Sequence, residues 1–259
     1  MNYWMSRYEL KQRAENHTSE MASKYGREID NAVNSSRIIN DNNIDEPLFW
    51  PSWIRHPKID NFDTELWQTD SVSAIFKLPL EADVAVLNFA DYKNPGGRFI
   101  DGSSAQEESL CHASFLYNVL SRRMDYYDWN NLHKNKGLYL NRALYSQGIK
   151  FFKDGKEKNV DVITCAAPNR SVIKYGKITE QENDEALKSR IEFVVKIINK
   201  YAPRLDAVVL GAFGCGVFKQ DAARVAQLFN HAGLPTDVKV VYAIPDRANL
   251  EKFRQGLEG

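Results

Sequence analysis

The sequence predicts an α/β fold built on a largely parallel sheet with both faces covered. Four β-branched apolar runs, ADVAVLNFA, VDVITCAAP, LDAVVLGAFG and VKVVYAIPD, each end in small or turn-forming residues. Runs that stay apolar without alternation are those of strands buried on both sides. Between them lie stretches whose apolar residues recur at helical spacing, and strand–helix alternation is the pattern of a parallel sheet wrapped by helices.

Taken in order, the chain begins with apolar and aromatic residues at helical spacing: Tyr3, Trp4, Tyr8, Leu10, then Met21, Tyr25, Ile29 and Val33. They predict two or three helices over the first forty residues. From Asp45 to Asp63, Pro47, Pro51 and Pro57 stand among Phe49, Trp50, Trp53 and Phe62. That is too aromatic for a free linker and too proline-rich for regular structure, so an ordered segment crossing the core is expected, with Trp50, Trp53 and Trp67 as its anchors. The expected organisation is a helical extension and crossing segment over 1–63, packed on a main domain over 64–259. Helices are expected at Ser104 to Arg123, Thr179 to Tyr201, Gln220 to His231 and Arg247 to Leu257. No internal repeat or low-complexity segment is present.

The 259 residues carry 34 basic and 34 acidic side chains, so no net field draws the protein to nucleic acid or an anionic membrane, and an anionic ligand must be held locally. Cys111, Cys165 and Cys215 are odd in number and lack CxxC spacing, which argues against a disulfide framework and a zinc site. The charged N-terminus and the absence of a long apolar run favour a cytoplasmic protein.

In an open α/β sheet, ligands bind beyond the carboxyl ends of the strands. Three ends are chemically unusual: the stretch beginning at Asn88, NFADYKNPGGRFIDGSSAQEESL; Ala166-Ala167-Pro168-Asn169; and GAFGCGVFKQD, Gly211 to Asp221. Glycines there allow backbone N–H groups to crowd one point, a nest that holds phosphate oxygens without lysine. Two such loops flank an adjacent pair of acids, Glu107 and Glu108.

NPGG followed by QEE resembles the signature of the bacterial-type poly(ADP-ribose) glycohydrolases, and GAFGCGVFKQD looks like that family's second ligand-binding loop. The resemblance implies a three-layer α/β/α macrodomain-like fold with a mixed, largely parallel central sheet, and hydrolysis of the O-glycosidic ribose–ribose bond of poly(ADP-ribose) without metal or cofactor. It implies that Glu108 is the catalytic glutamate, that Glu107 helps to fix ribose hydroxyls, and that Gln106 holds the loop or the ligand. Gly96 and Gly97 match the first two of three glycines. Gly214, Gly216, Val217 and Phe218 match the diphosphate loop, with the Phe218 ring against the distal ribose. Cys165 and Cys215, in apolar or glycine-rich runs, read as small buried residues, and Cys215 within the loop also as one that lines the site. Asn88 at its strand end belongs to the expected substrate-binding set. Asp70 resembles the acid that accepts from the adenine amino group, and its place beside Thr69 and Ser71 before a short helical stretch equally fits a helix cap. Arg98 departs from the pattern, standing where the family has its third glycine. It either crowds the site, pairs with a diphosphate, or faces solvent.

The partners implied are ADP-ribose and poly(ADP-ribose) on modified proteins, nucleic acid only where it carries ADP-ribose, no membrane, and a monomeric protein. The alternatives are an ADP-ribose-binding module without hydrolysis and a hydrolase acting on single ADP-ribosyl groups. The paired acids bear on mechanism directly. Ordinary glycosidases set two carboxyl groups roughly 5 to 9.5 Å apart about the scissile bond. Neighbours in the chain cannot straddle a bond in this way, so one acid must carry most of the proton transfer. His112, four residues after Glu108 and beside Cys111, is expected to pack rather than to serve as a base.

Overall fold

A computed structural model describes residues 7–48, 58–59 and 61–259. Tyr3, Trp4, Phe49, Trp50 and Trp53 lie outside the described residues. The elements in chain order are α1 (Arg7–Ser35), β1 (Arg37–Asn40), β2 (Glu65–Trp67), α2 (Ser71–Lys77), β3 (Val84–Phe89), α3 (Gln106–His112), α4 (Leu116–Leu120), α5 (Met124–Leu132), β4 (Arg142–Lys153), β5 (Lys156–Cys165), α6 (Glu180–Tyr201), β6 (Ala207–Leu210), α7 (Ala222–His231), β7 (Lys239–Ala243) and α8 (Arg247–Glu258).

The strands form one sheet in the order β1-β4-β5-β3-β6-β7-β2. The four apolar runs are β3, β5, β6 and β7, and they pair in parallel at the centre. Successive residues of β3 feed opposite cores. Ala85 and Leu87 meet Ile191, Val194, Ile198, Val225 and Phe253 from α6, α7 and α8. Val84 and Val86 meet Met21, Ile29, Ile75, Leu110 and Val119 from α1 to α4. This two-sided demand explains an apolar run without alternation.

Three strands were not among the expected ones. β4 runs antiparallel to β5, joined by Asp154-Gly155 with φ of 50° and 75°, the backbone of a type I′ hairpin turn. An irregularity between Ser146 and Ile149 interrupts the β4 pattern at Gln147-Gly148. β1, which falls in the expected N-terminal extension, is an edge strand paired with β4, and β2 closes the other edge beside β7. Trp67 on β2 lies under Lys77, whose Nζ is 4.0 Å from the ring centroid.

α1 is two helical segments that meet at a kink at Tyr25 (φ −124°, ψ 26°), beside Gly26. The helices fit their expected spans with one difference. The span from Ser104 to Arg123 is broken at Ala113–Phe115, because Ser114 leaves the helix to bridge Phe151 of β4 and Phe152 N donates to Ala113 O at 2.7 Å. Capping residues set the other boundaries: Thr179 and Glu182 form a capping box on α6, and Asp221 and Asp246 accept from Arg224 N and Asn249 N at the starts of α7 and α8. Among the described residues no helix is long and apolar enough to cross a membrane.

α7 and α8 touch where Gly256 meets Ala223, and a Cβ on Gly256 would collide with the Ala223 carbonyl oxygen. Gly256→Ala is expected to destabilise the protein by about 1–3 kcal/mol through overpacking, read as a lower melting temperature by circular dichroism. An unchanged melting temperature would mean that the two helices part freely.

Candidate functional site

The loop after β3 turns back sharply over the start of α3. Asp91 Oδ1 accepts from Lys93 N and Asn94 N at 2.7 and 2.9 Å, closing the first turn. Gly96 and Gly97 follow with φ of 65° and 60°, in the left-handed region that glycine enters without strain. The second reason for glycine at 97 is space: a Cβ there would lie 2.8 Å from Glu108 Oε1 and 2.9 Å from Glu107 Oε2. Both carboxylates therefore converge on one backbone point. At Gly96 a Cβ would meet the Tyr117 ring at 2.8 Å, so this glycine serves packing behind the loop.

Gln106 clamps the loop to the sheet. Its Oε1 accepts from Phe89 N at 2.9 Å, and its Nε2 donates to Leu87 O at 2.9 Å and Ser71 Oγ at 3.1 Å. Of the two readings for Gln106, loop or ligand, the geometry favours the loop.

The two acids are only 3% and 5% exposed, yet they differ in how their oxygens are used. Glu107 Oε1 accepts from Asn88 Nδ2 at 3.1 Å and its Oε2 from Asp91 N at 2.7 Å. Burial pushes the Glu107 carboxyl well above the usual range, against the opposing effect of these hydrogen bonds. Glu108 Oε1 accepts from Arg98 N at 3.0 Å. Its Oε2 is buried without a hydrogen-bond partner among the described residues. Cys111, fully buried behind the pair, has its thiol pKa raised by burial and by Glu107 and Glu108, which disfavours a nucleophilic thiolate. His112 packs edge-on against Phe99, with ring centroids 4.6 Å apart, and burial together with Arg13 and His17 pushes its pKa down to about 4.

The loop after β6 shares the same cavity. Phe89, Ala90, Asp91, Gly97, Arg98, Ser103, Ala105, Gln106, Glu107 and Glu108 line it with Ala167, Phe213, Gly214, Gly216, Val217 and Phe218. Gly214 has φ of 77° and no room for a side chain, since a Cβ would lie 2.6 Å from that of Ala167. Gly216 opens to free space. Val217 is 76% exposed, and Phe218 lies half-buried beside Tyr139 with ring centroids 5.9 Å apart. Gln220 fixes the end of this loop: its Nε2 donates to Pro168 O and Asn183 Oδ1, both at 2.8 Å.

The structure thus brings together most of the residues read from the sequence, and sets four apart from the cavity lining: Gly96, which packs on Tyr117, and Cys215, Asn88 and Asp70. Cys215 packs on the core below the α6–α8 layer, and burial raises its thiol to about 12. Asn88 stands behind Glu107 on β3, fully buried. Asp70 is exposed and caps α2, its two oxygens accepting from Ser73 N and Ser73 Oγ at 2.8 and 2.6 Å. Arg98 does not crowd the cavity. Its side chain is 62% exposed, and Nε donates to Asp101 Oδ2 at 3.1 Å.

Asp91, Phe89, Phe213 and the Gln220–Asn183 pair were not among the residues singled out. Asp91 carried a local signal, an aspartate opening a turn at a strand end; the amide pair carried none, because its partners lie 37 positions apart. Among the described residues no group of three or more His, Cys, Asp or Glu side chains could hold a metal ion.

The family model of the microbial-type PARG catalytic domain, PARG being poly(ADP-ribose) glycohydrolase, matches residues 8–154, over half of the chain and including the first loop and both acids. No curated protein matches the chain. Among solved structures, the PARG of Thermomonospora curvata is similar at 26% identity with a TM-score of 0.82, covering 96% of this chain and 99% of that one. The same protein bound to the inhibitor ADP-HPD gives 25% and 0.81 over the same shares. The PARG of Deinococcus radiodurans in complex with ADP-ribose gives 27% identity and a TM-score of 0.75 over 89% of this chain and 97% of that one.

The raised pKa of Glu107 has a consequence for stability. Above the ordinary glutamate pKa of about 4.3 the folded protein holds this proton longer than the unfolded chain, so the contribution of Glu107 to stability is lost as pH rises through the folded value. Glu107→Gln, neutral throughout, is expected to gain melting temperature relative to wild type as pH rises above the ordinary glutamate pKa of about 4.3. A difference independent of pH would mean that burial of this carboxyl carries no net penalty.

Proposed function

The chain belongs to the microbial-type PARG catalytic-domain family, and with that as premise we propose that Glu108 carries the proton by which it releases ADP-ribose from poly(ADP-ribose). The protein is a glycosidase acting on the ribose–ribose bond. The observation that carries the assignment of Glu108 is the contrast between the two acids. An unpartnered buried carboxylate oxygen costs free energy that a structural residue would avoid, and it is Glu108, not Glu107, that holds one beside the cavity.

Glu108, as an acid, gives its proton to the 2′-oxygen of the departing ribose while the bond from that oxygen to the anomeric carbon breaks. The ribose left behind carries oxocarbenium-like positive charge, which the resulting Glu108 carboxylate and the nearby diphosphate stabilise. Water then attacks the anomeric carbon and returns a proton to Glu108. The convergence of both acids on Gly97 supports this one-acid scheme, because neither reaches around the sugar. Arg98 N fixes the first oxygen of Glu108 and so aims the second. Glu107, tethered by Asn88 and Asp91, is suited to hold ribose hydroxyls with its remaining lone pairs. The backbone of Gly214 to Phe218 is suited to the diphosphate, with open space at Gly216, and the Phe218 ring to the distal ribose. In this reading the polymer substrate is carried on modified proteins and the enzyme acts as a monomer. Asp70, exposed at the start of α2, keeps lone pairs beyond its two bonds to Ser73 and in this reading accepts from the adenine amino group.

Glu108→Gln keeps shape and loses the ionisable group. It is expected to lower release of ADP-ribose from polymer by at least about 100-fold while calorimetric binding of ADP-ribose persists; loss of both together would make Glu108 structural. Phe218→Ala is expected to lower kcat by about 10-fold or more through a displaced ribose, and unchanged kinetics would remove Phe218 from the site.

A further inference from the structure

We propose that Arg98 binds the diphosphate of the ADP-ribose unit on the leaving side of the scissile bond, making the site selective for a chain over a single ADP-ribosyl group. This rests on the glycohydrolase reading above and adds a subsite to it.

Four observations converge on this assignment. First, the side chain departs from a residue whose own N–H is bonded to Glu108 Oε1 at 3.0 Å, so it is rooted at the acid that protonates the leaving oxygen. Second, Arg98 is the only lysine or arginine among the described residues lining the cavity, whose other ionisable side chains, Asp91, Glu107 and Glu108, are all acids. A leaving unit that bears its own diphosphate has no other side-chain cation there to meet it.

Third, direction separates the two diphosphates. That of the terminal unit has the glycine loop within the cavity, whereas the rest of the chain must run out to solvent, and the Arg98 side chain is 62% exposed. Fourth, its present partner is exchangeable. Asp101 is itself 53% exposed, and exposed pairs of this kind contribute little. A planar guanidinium fork suits diphosphate oxygens in bidentate fashion, so substrate can take it over. The residue that replaces the third glycine thus supplies a charge that a glycine could not.

The test uses the non-cleaving Glu108→Gln protein and two ligands, ADP-ribose and a dimer of ADP-ribose joined by the ribose–ribose bond. Adding Arg98→Ala is expected to weaken dimer binding about 10-fold, the scale of a solvent-exposed charge-assisted contact, with ADP-ribose binding within about twofold. Equal loss for both ligands would overturn the proposal by putting Arg98 on the terminal unit. No loss for either would leave it a solvent-facing side chain, and tighter dimer binding would make it an obstruction; both outcomes also overturn it. Asp101→Asn, which releases the guanidinium, is expected to tighten dimer binding, and a weaker dimer would count against the exchange. Failure of the underlying reading is separately visible, as a wild-type protein that releases no ADP-ribose from polymer.

Discussion

Two adjacent glutamates, side by side in the chain and almost wholly removed from water, set the terms for the rest of this molecule. Like charges so placed repel, and burial penalises each further. Among the described residues no cation pairs with them: Asn88 and two backbone N–H groups, those of Asp91 and Arg98, supply the compensation. Those amides can reach the carboxylates only if the intervening loop folds onto α3, and it can do so only with no side chain at position 97. The turn at Asp91 and the Gln106 clamp then keep the loop on the sheet. A single constraint therefore accounts for a glycine, an amide, a turn and a strand end that would otherwise look unrelated.

The same constraint divides labour between identical side chains. Glu107 is held at both oxygens, and Glu108 at one. The asymmetry lies in backbone position alone, since the helix start turns one residue toward Asn88 and β3 and the next toward the cavity. Catalytic function in glycosidases depends on such inequality of environment. Here it is produced without a second acid across the sugar, which adjacent residues cannot provide.

The sheet order explains how two loops far apart in sequence come to share a cavity. β3 and β6 are neighbours, so the segments leaving their carboxyl ends emerge side by side, and β5 on the other flank of β3 adds Ala167. Residues 7–40 belong to the same construction: α1 packs into the core beneath β3, and β1 extends the sheet. These residues share a hydrophobic core with the strands that carry the site.

By itself the sequence determined the features that are local in the chain. The parallel central strands were legible because burial on both faces leaves no room for alternation. The two glycine loops and the paired acids were legible because their chemistry lies within a few residues. β4 was missed although Asp154-Gly155 marks its turn, because Gln147-Gly148 breaks its pattern; the interruption at Ser114 was missed because its cause is a contact with Phe151, a residue 37 positions away. Only the tertiary structure decided which glutamate keeps a free oxygen, that Cys215 turns to the core, that Asp70 caps a helix and that Arg98 points outward. Each of those depends on which atoms meet across elements, and a one-dimensional pattern holds no record of distance.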